Sequence, residues 1–370
     1  MATNYKNLTS LSSGTTYDYR VTAIGDGSTY TDSDPSATST FTTLIPLAVP
    51  TGLALTPSTS QIVATWSAVT NATAYVLSYQ TGNGAWVDVE ANSPPYTLSG
   101  TAQGTTYSFK VKAIAPNTAY EASAFSAVVS TTTLIQLATP SPTLTKTNTS
   151  ITISWSQIAN ATGYVVAWKI SGGTYTEETI ASGSTTTFTK DNLQEGATYV
   201  FKVKATTTNS AYVDSEYSAE VSDSTQITLA TPAPTLTKTT SSITATWSQI
   251  PNAEGYVVAY KTGTGAYTEA TITGGATTTY TIGSLAQGVT YTLKVKATTT
   301  DPDYLDSAYS SEYSATTLIQ LDTPTNVSAD QITSNSARIG FDEVQNATRY
   351  RIQYRVQGAT EWSEIEVIPG

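Results

Sequence analysis

The side chains that most enzymes use for acid–base or nucleophilic chemistry are scarce in this chain of 370 residues. It contains no histidine and no cysteine, which excludes imidazole bases, Ser-His-Asp arrangements, thiol nucleophiles and zinc–thiolate sites together. No glycine-rich loop lies between a strand and a helix, so the pattern offers no cradle for phosphate. Glu177 and Glu178 lie on an expected outer strand, where solubility charges explain them better than an acid–base pair. We therefore expect a protein that is not an enzyme, with no catalytic residue and no cofactor.

One acidic cluster has the residue types of a cation site. Asp301, Asp303 and Asp306 lie in the segment Asp-Pro-Asp-Tyr-Leu-Asp, and carboxylate oxygens are ligands that calcium prefers. The corresponding loops at Tyr120 and Tyr212 lack the cluster. The sequence therefore favours a solvated loop, and we assign no metal ligand.

Two further sets of polar residues have a binding interpretation and a structural one. Paired lysines could form a stripe for an anionic ligand, although outward lysines also keep exposed strands from aggregating. Asn-x-Ser/Thr sequons could carry glycans, although asparagine also stabilises turns because it tolerates left-handed backbone. In both cases the sequence favours the structural interpretation. The lysine pairs are Lys110/Lys112, Lys202/Lys204 and Lys294/Lys296, and the sequon asparagines are Asn7, Asn71, Asn148, Asn160, Asn326 and Asn346.

Charge and hydropathy exclude several classes of partner. The net charge is −11, whereas nucleic acid requires a basic face and an anionic membrane surface attracts basic segments. No stretch approaches about 18 consecutive apolar residues, the length needed to span a bilayer. No apolar signal-peptide core follows Met1, so an exported protein would be represented here by a mature form or a fragment. We expect no nucleic-acid partner and no membrane insertion.

The elements that position these side chains come from an internal repeat. The stretch Leu193–Ala205 returns as Leu285–Ala297, Thr101–Ala113 and Leu11–Ala23. Each copy has a glycine turn, then a tyrosine, then alternating inward and outward residues, which is typical of a half-buried antiparallel strand. The tyrosines are 90, 92 and 92 residues apart. The chain is therefore expected to contain about four equivalents of one domain.

Other features recur in the same order within each repeat. A seven-residue joint ending in proline starts the repeat, and a strand ending in Trp66, Trp155, Trp247 or Phe341 follows it. An Asn-Ala turn and a strand with two inward aromatic residues come next. About seven short strands per repeat, separated by turn signals, predict a β-sandwich.

This order of motifs resembles the fibronectin type III domain. The resemblance implies an all-β fold of tandem, immunoglobulin-like, seven-stranded β-sandwiches arranged as a beads-on-a-string rod. It also implies that the tyrosines are "tyrosine corners" whose hydroxyl groups bond to upstream backbone. We expect a structural core at the four strand-end aromatics and at these tyrosines, and interdomain contacts at a second set of loop tyrosines. The corner tyrosines are Tyr17, Tyr107, Tyr199 and Tyr291, and the loop tyrosines are Tyr30, Tyr120, Tyr212 and Tyr304.

The two ends of the chain predict complementary halves of one domain. Residues 44–133, 134–225 and 226–317 are expected to be complete domains. Residues 1–43 correspond to the C-terminal half, strands E to G, and residues 318–370 to the N-terminal half, strands A to C′. Aligning Tyr5 with Tyr96 predicts strand E near Tyr5 and places Met1 opposite Asn92, and aligning Trp362 with Trp86 places Gly370 opposite Pro94. All five arginines of the chain also lie in these halves, at positions 20, 338, 349, 351 and 355.

Three interpretations of these ends remain open. The C-terminal half of one molecule completes the N-terminal half of the next, so that the chain forms a head-to-tail polymer with itself. Alternatively, the sequence is one period of a giant surface adhesin or stalk, whose repeats act as spacers or bind cell-surface glycans or other surface proteins. A third interpretation is an arbitrary cut, which the close match of the halves disfavours. We predict a structural subunit of an extracellular or cell-surface filament, with the giant adhesin as the alternative and an enzyme accessory region as a third candidate.

Overall fold

The structure is a computed structural model that describes residues 4–115 and 119–368. Met1 and Gly370, on which the alignment of the halves depends, lie outside the described residues. Every regular element in the described ranges is a β-strand, and no helix there has the length and hydropathy needed to cross a membrane. The chain divides into two compact units. The first comprises Met1–Thr145, Thr152–Lys190 and Thr198–Asp223, and the second comprises Lys146–Ile151, Asp191–Ala197 and Ser224–Gly370.

Residues 44–133, called the first repeat below, form two facing sheets. A three-stranded sheet has the order β4-β5-β8, and a four-stranded sheet has the order β11-β9-β6-β7. The two-residue strands β3 and β10 form a short parallel pair. The strands are β3 (Ile45–Pro46), β4 (Ala54–Pro57), β5 (Gln61–Thr65), β6 (Ala74–Thr81), β7 (Val87–Ala91), β8 (Tyr96–Ser99), β9 (Thr106–Ile114), β10 (Tyr120–Glu121) and β11 (Val129–Thr132); the preceding strands are β1 (Thr16–Tyr19) and β2 (Ser39–Thr42).

Residues 134–225, the second repeat, have the same arrangement of sheets. The orders are β13-β14-β17 and β16-β15-β18-β20, with the parallel pair β12–β19. The strands are β12 (Ile135–Gln136), β13 (Thr143–Lys146), β14 (Ile151–Ser154), β15 (Gly163–Ile170), β16 (Thr176–Ile180), β17 (Thr187–Lys190), β18 (Thr198–Thr206), β19 (Tyr212–Val213) and β20 (Val221–Ser224).

Residues 226–317, the third repeat, repeat the arrangement again. The orders are β22-β23-β26 and β25-β24-β27-β29, with the parallel pair β21–β28. The strands are β21 (Ile227–Thr228), β22 (Thr235–Lys238), β23 (Ile243–Thr246), β24 (Gly255–Thr262), β25 (Thr268–Thr273), β26 (Thr279–Ile282), β27 (Thr290–Thr298), β28 (Tyr304–Leu305) and β29 (Tyr313–Thr316).

The core of each complete repeat lies between its two sheets. Trp66, Trp155 and Trp247 are buried, and each indole ring meets a tyrosine of the next strand edge to face. The ring centroids are 5.1–5.3 Å apart, the separation at which such aromatic pairs are favourable. Phe341 packs on Tyr350 at 4.6 Å but is only partly buried, because no second sheet covers it.

The corner tyrosines connect the core to the turn before their strand. The hydroxyl groups of Tyr17, Tyr107 and Tyr291 each accept a hydrogen bond from the backbone N–H five residues upstream, at 2.9–3.3 Å. Tyr107 and Tyr199 are buried, whereas Tyr17 and Tyr291 are partly buried. A second set, the first of the two inward aromatic residues expected on the strand after each Asn-Ala turn, accepts from the N–H six residues upstream. It comprises Tyr75, Tyr164, Tyr256 and Tyr350.

The two ends of the chain form hairpins rather than sandwiches. In residues 4–43, the N-terminal segment, β1 pairs with β2 alone. The third strand expected near Tyr5 is not formed, and Tyr5 is exposed, because the strand that would pair with it is not part of this segment. Residues 318–368, the C-terminal segment, form two hairpins, β30–β31 and β32–β33. Their strands are β30 (Ser328–Asp330), β31 (Arg338–Gly340), β32 (Tyr350–Tyr354) and β33 (Ser363–Val367).

Candidate functional site

Each terminal segment exposes one strand edge that the complete repeats keep paired. In the first repeat, β6 and β9 pair over eight residues, from Ala74–Ile114 to Thr81–Tyr107. β32 is the counterpart of β6, and β1 is the counterpart of β9. Within the described residues, β32 pairs only with β33 and β1 only with β2. The backbone N–H and C=O groups on the open edges are therefore available to another strand.

The inner faces of these segments are apolar and uncovered. Val21 is 67% exposed, whereas Val111, at the same place in the first repeat, is 0% exposed. Tyr19 and Tyr354 are exposed as well. The C-terminal segment also has an open groove of about 330 Å³ between its two hairpins, lined by Pro324, Val327, Ile339, Phe341 and residues 350–354. These side chains are the part of a sandwich core that lacks its other half.

The outer face of each four-stranded sheet carries stacked cations and aromatic rings. In the second repeat, Tyr175 lies between Lys169 and Lys202, whose Nζ atoms are 4.3 and 4.2 Å from its ring centroid. In the third repeat, Tyr267 lies between Lys261 and Lys294 at 4.5 and 4.2 Å. Ammonium groups at such distances are attracted by the ring quadrupole.

Carboxylates complete the stacks of the second and third repeats. The Tyr175 hydroxyl donates to Glu220 at 2.5 Å, and the Tyr217 hydroxyl donates to Glu177 at 2.8 Å. Burial and the bonded carboxylate raise the pKa of Tyr175 to about 12 and also raise the pKa of Tyr217. Glu177, expected to be a solubility charge, is therefore part of a contact network. The third repeat has the same pairs, Tyr267 with Glu312 and Tyr309 with Glu269.

The first repeat has the cations but not the hydroxyl groups. Lys110 lies 4.3 Å from the ring centroid of Trp86 and 4.5 Å from that of Phe125, and Lys112 lies 4.9 Å from Phe125. Neither Trp86 nor Phe125 can donate a hydroxyl to a carboxylate. The paired lysines expected to face outward therefore do so in all three repeats, against aromatic rings that the sequence analysis did not connect with them.

The C-terminal segment contains half of such a stack. Trp362 directly precedes β33, and the guanidinium carbon of Arg355 lies 4.3 Å from its ring centroid. Trp362 is nevertheless 51% exposed. In the N-terminal segment, Arg20 is exposed and makes no hydrogen bond, ion pair or ring contact within the described residues.

The joints between repeats contain a close contact between an isoleucine and a glycine. Ile135 lies on Gly104, where an added Cβ would be 2.9 Å from the isoleucine side chain. The Gln103 side chain accepts a hydrogen bond from the N–H of Gln136 at 2.8 Å, and Ser58 O accepts one from Leu134 N at 3.0 Å. The same isoleucine–glycine contact occurs at Ile45–Gly14, Ile227–Gly196 and Ile319–Gly288.

Three of the four loop tyrosines lie beside the joint strands. Tyr120 and Tyr304 pack against the cores of the first and third repeats. The backbones of Tyr120, Tyr212 and Tyr304 pair in parallel with the joint strands β3, β12 and β21. Tyr30 is 71% exposed, because no joint strand pairs with its loop. Tyr120 and Tyr304 therefore contact the cores of their own repeats, and interdomain contacts of the four loop tyrosines stay a prediction.

Two carboxylates of the acidic loop are bonded within the third repeat, and the third, that of Asp303, pairs with Lys146 of the second repeat at 2.5 Å. Asp301 accepts from the N–H of Asp303 at 2.9 Å, and Asp306 accepts from the N–H of Thr299 at 3.0 Å. Asp306 also pairs with Lys296 at 3.0 Å. Across residues 4–115 and 119–368, no group of three or more acidic side chains is placed to hold a metal ion.

The Asn-Ala turns have the conformation that their residue type favours. Asn71, Asn160, Asn252 and Asn346 all have φ of 63–67°. The N–H of the following alanine bonds to the carbonyl three residues before it, at 3.1–3.2 Å. Asparagine tolerates this left-handed backbone better than most residues do. The turn role predicted for the sequon residues Asn71, Asn160 and Asn346 is therefore present in the structure.

Comparison with known proteins identifies the domain type. The family model described as "Fibronectin type III domain" matches residues 140–222 and 232–311. Among solved structures, the chain is similar to the FN1–FN3 domains of chicken CNTN1. That match has 18% sequence identity and a TM-score of 0.35, and it covers 75% of this chain and 100% of that chain.

Proposed function

Because this chain is a tandem fibronectin type III domain protein, we propose that it is a structural subunit of an extracellular or cell-surface filament. Tandem domains of this family suggest a structural or adhesion-type extracellular module and are typically non-catalytic. In the proposed filament, β1 of one molecule pairs with β32 of the next. The N-terminal and C-terminal segments thereby form one shared sandwich, and the chain is a non-enzymatic building block.

A single observation supports this proposal: the two open edges belong to the counterparts of two strands that pair with each other in every complete repeat. β6 and β9 pair in register in the first repeat, and the same pairing joins β15 to β18 and β24 to β27. The terminal segments contain one partner each. Strand addition satisfies the backbone groups along both edges at once.

Burial of the inner faces provides the driving force for joining. In the first repeat, the counterparts of Val21 and Ile352 are Val111 and Leu77, both fully buried. Each such side chain contributes about 1.5–3 kcal/mol when it leaves water. The contact joins two different surfaces of the same chain, and a contact of this kind that does not close into a ring propagates as an open polymer.

Two substitutions test the proposal because each blocks one segment. Val21→Asp and Ile352→Asp each place a carboxylate where the joined sandwich would be fully apolar, and an unpaired buried charge is strongly unfavourable. We expect each variant alone to remain a single chain in analytical ultracentrifugation. Mixed, they should form a complex of exactly two chains, because the one unblocked segment of each variant fits that of the other.

Val128→Asp is the matched control, because Val128 is an exposed valine of the first repeat, directly before β11. This variant should polymerise like the unmodified chain. Polymers formed by Val21→Asp alone would contradict pairing through β1. An unmodified chain that stays single at high concentration would contradict the filament and support the alternative, repeats that act as spacers in a longer surface protein.

A further inference from the structure

We propose that Arg20 of one molecule stacks on Trp362 of the next and that this contact makes the joining of the two segments specific. The inference rests on the proposed filament and names the residues that recognise the partner. Its basis is the cation–aromatic stack of the complete repeats, which the C-terminal segment contains only in part.

The position of Arg20 follows from the corner tyrosines. Lys110, Lys202 and Lys294 each come three residues after a corner tyrosine, on the outward face of its strand. Each has its Nζ atom 4.2–4.3 Å from the centroid of the aromatic ring that precedes the outermost strand of the sheet. Arg20 comes three residues after Tyr17 and has the same outward position.

The ring that such a cation would contact is Trp362. It directly precedes β33, as Trp86, Tyr175 and Tyr267 precede β7, β16 and β25. In the second and third repeats this ring is contacted by one cation from the adjacent strand and a second from the strand beyond it. Arg355 is the first of these cations for Trp362, and the second would be Arg20 of the partner molecule.

The choice of arginine suits a contact between molecules. A planar guanidinium stacks on an aromatic face and is less strongly hydrated than an ammonium group. Arg349 and Arg351 are occupied by Glu366 and Glu364 at 3.2 and 3.5 Å, whereas Arg20 has no partner within the described residues.

The register of the outer-face residues of the C-terminal segment also favours this position for Arg20. Glu364 pairs in register with Gln353, as Glu269 pairs with Ala259. Ala259 in turn pairs with Lys294, so the equivalent register places Arg20 opposite Gln353, with the Glu364 carboxylate one strand further on. The contact therefore places Arg20 beside an indole face and near the Glu364 carboxylate, which Arg351 and Gln353 already contact.

The complex of the Val21→Asp chain with the Ile352→Asp chain contains one shared sandwich, so its dissociation constant reports on a single contact between molecules. In that complex, the Ile352→Asp chain supplies Arg20 and the Val21→Asp chain supplies Trp362. Arg20→Ala is introduced in the first chain and Trp362→Ala in the second, and the dissociation constant is measured for all four combinations. We expect each change to weaken binding about threefold to thirtyfold. The double change should weaken binding no more than the larger single change.

Two controls separate a specific contact from a general loss of charge. Lys202→Ala in the Ile352→Asp chain removes the equivalent cation from a complete repeat and should leave the dissociation constant unchanged. Arg20→Lys should retain most of the affinity, because lysine has this position in the complete repeats. Additive effects of the two alanine changes, or no effect of Arg20→Ala, would overturn the inference while the proposed filament stands. Absence of any two-chain complex would overturn both.

Discussion

At the residue scale, the same side-chain types have different partners in different copies of the repeat. A lysine on β9, β18 or β27 contacts an aromatic ring in each complete repeat. Only the second and third repeats add tyrosine hydroxyl groups that donate to glutamates, because the first repeat has Trp86 and Phe125 at the two ring positions. The first repeat is therefore a natural control for the effect of those hydrogen bonds.

The tyrosine–glutamate pairs predict a dependence of stability on alkaline pH. The pKa of Tyr175 is raised from 10.0 to about 12 by burial and by the bonded Glu220. The folded state therefore holds this proton more tightly than the unfolded state does. Its contribution to stability is complete below pH 10 and is lost as pH rises from 10 through about 12. Hydrogen exchange should show a steeper loss of protection in residues 134–225 than in residues 44–115 over this range.

The double substitution Tyr175→Phe and Tyr217→Phe tests whether the tyrosine–glutamate pairs cause this pH dependence. In this variant, hydrogen-exchange protection of the second repeat should fall with rising pH about as steeply as that of the first repeat. An unchanged slope in this variant would mean that other groups dominate the alkaline unfolding.

At the scale of elements, each joint depends on close contact between an isoleucine and a glycine turn. Gly104 and Gly288 have φ of 63° and 68°, a conformation that glycine adopts without strain. Any side chain there would also meet the isoleucine of the joint, at 2.9–3.0 Å from its added Cβ. Two constraints therefore require glycine at this position: the left-handed backbone and the lack of room for a Cβ atom.

The substitution Gly104→Ala should loosen the joint that follows the first repeat. The left-handed backbone alone costs about 1–2 kcal/mol for alanine, and displacement of Ile135 adds to that cost. We expect faster hydrogen exchange at Ile135 and Gln136 and faster proteolysis there. Gly100→Ala is the matched control, because Gly100 has φ of 74° and open space around it. Equal effects of the two substitutions on residues 134–137 would show that the isoleucine contact is unimportant.

At the scale of the whole molecule, the three repeats and the two terminal segments differ in how far their apolar side chains are buried. Fully buried aromatic and aliphatic side chains occur in every complete repeat, and the exposed large apolar residues concentrate in the two terminal segments. The proposed filament contains four sandwiches per chain, three complete and one shared between neighbours.

A chain that lacks residues 323–370 should therefore act as a terminator of assembly. Alone, it should remain a single chain. Added in small amounts to the full chain, it should shorten the filaments seen by electron microscopy, because it fills one open edge and offers no new one. A full-length chain carrying Ile352→Asp should terminate in the same way. Filaments of unchanged length would contradict joining through the terminal segments.

Much of the fold could be predicted from the sequence because its signals are local and recur four times. Alternation in Leu193–Ala205, the strand-end tryptophans and the glycine turns each specify a strand, a core face or a turn over a few residues. Their recurrence in order predicted tandem fibronectin type III sandwiches, and the structure and the family match confirm that prediction. The division into complete domains and complementary halves stays a prediction.

Only the tertiary structure decided which distant side chains meet. The hydroxyl of Tyr217 bonds to Glu177, 40 residues away, and this pair depends on the register between three strands, which a local pattern does not encode. The same holds for the isoleucine–glycine joints, in which Ile135 meets Gly104. A strand near Tyr5 was expected from its sequence but is not formed, because a strand requires a hydrogen-bonding partner as well as a suitable pattern. Alternation and residue type are properties of a short segment, whereas pairing is a property of the folded chain.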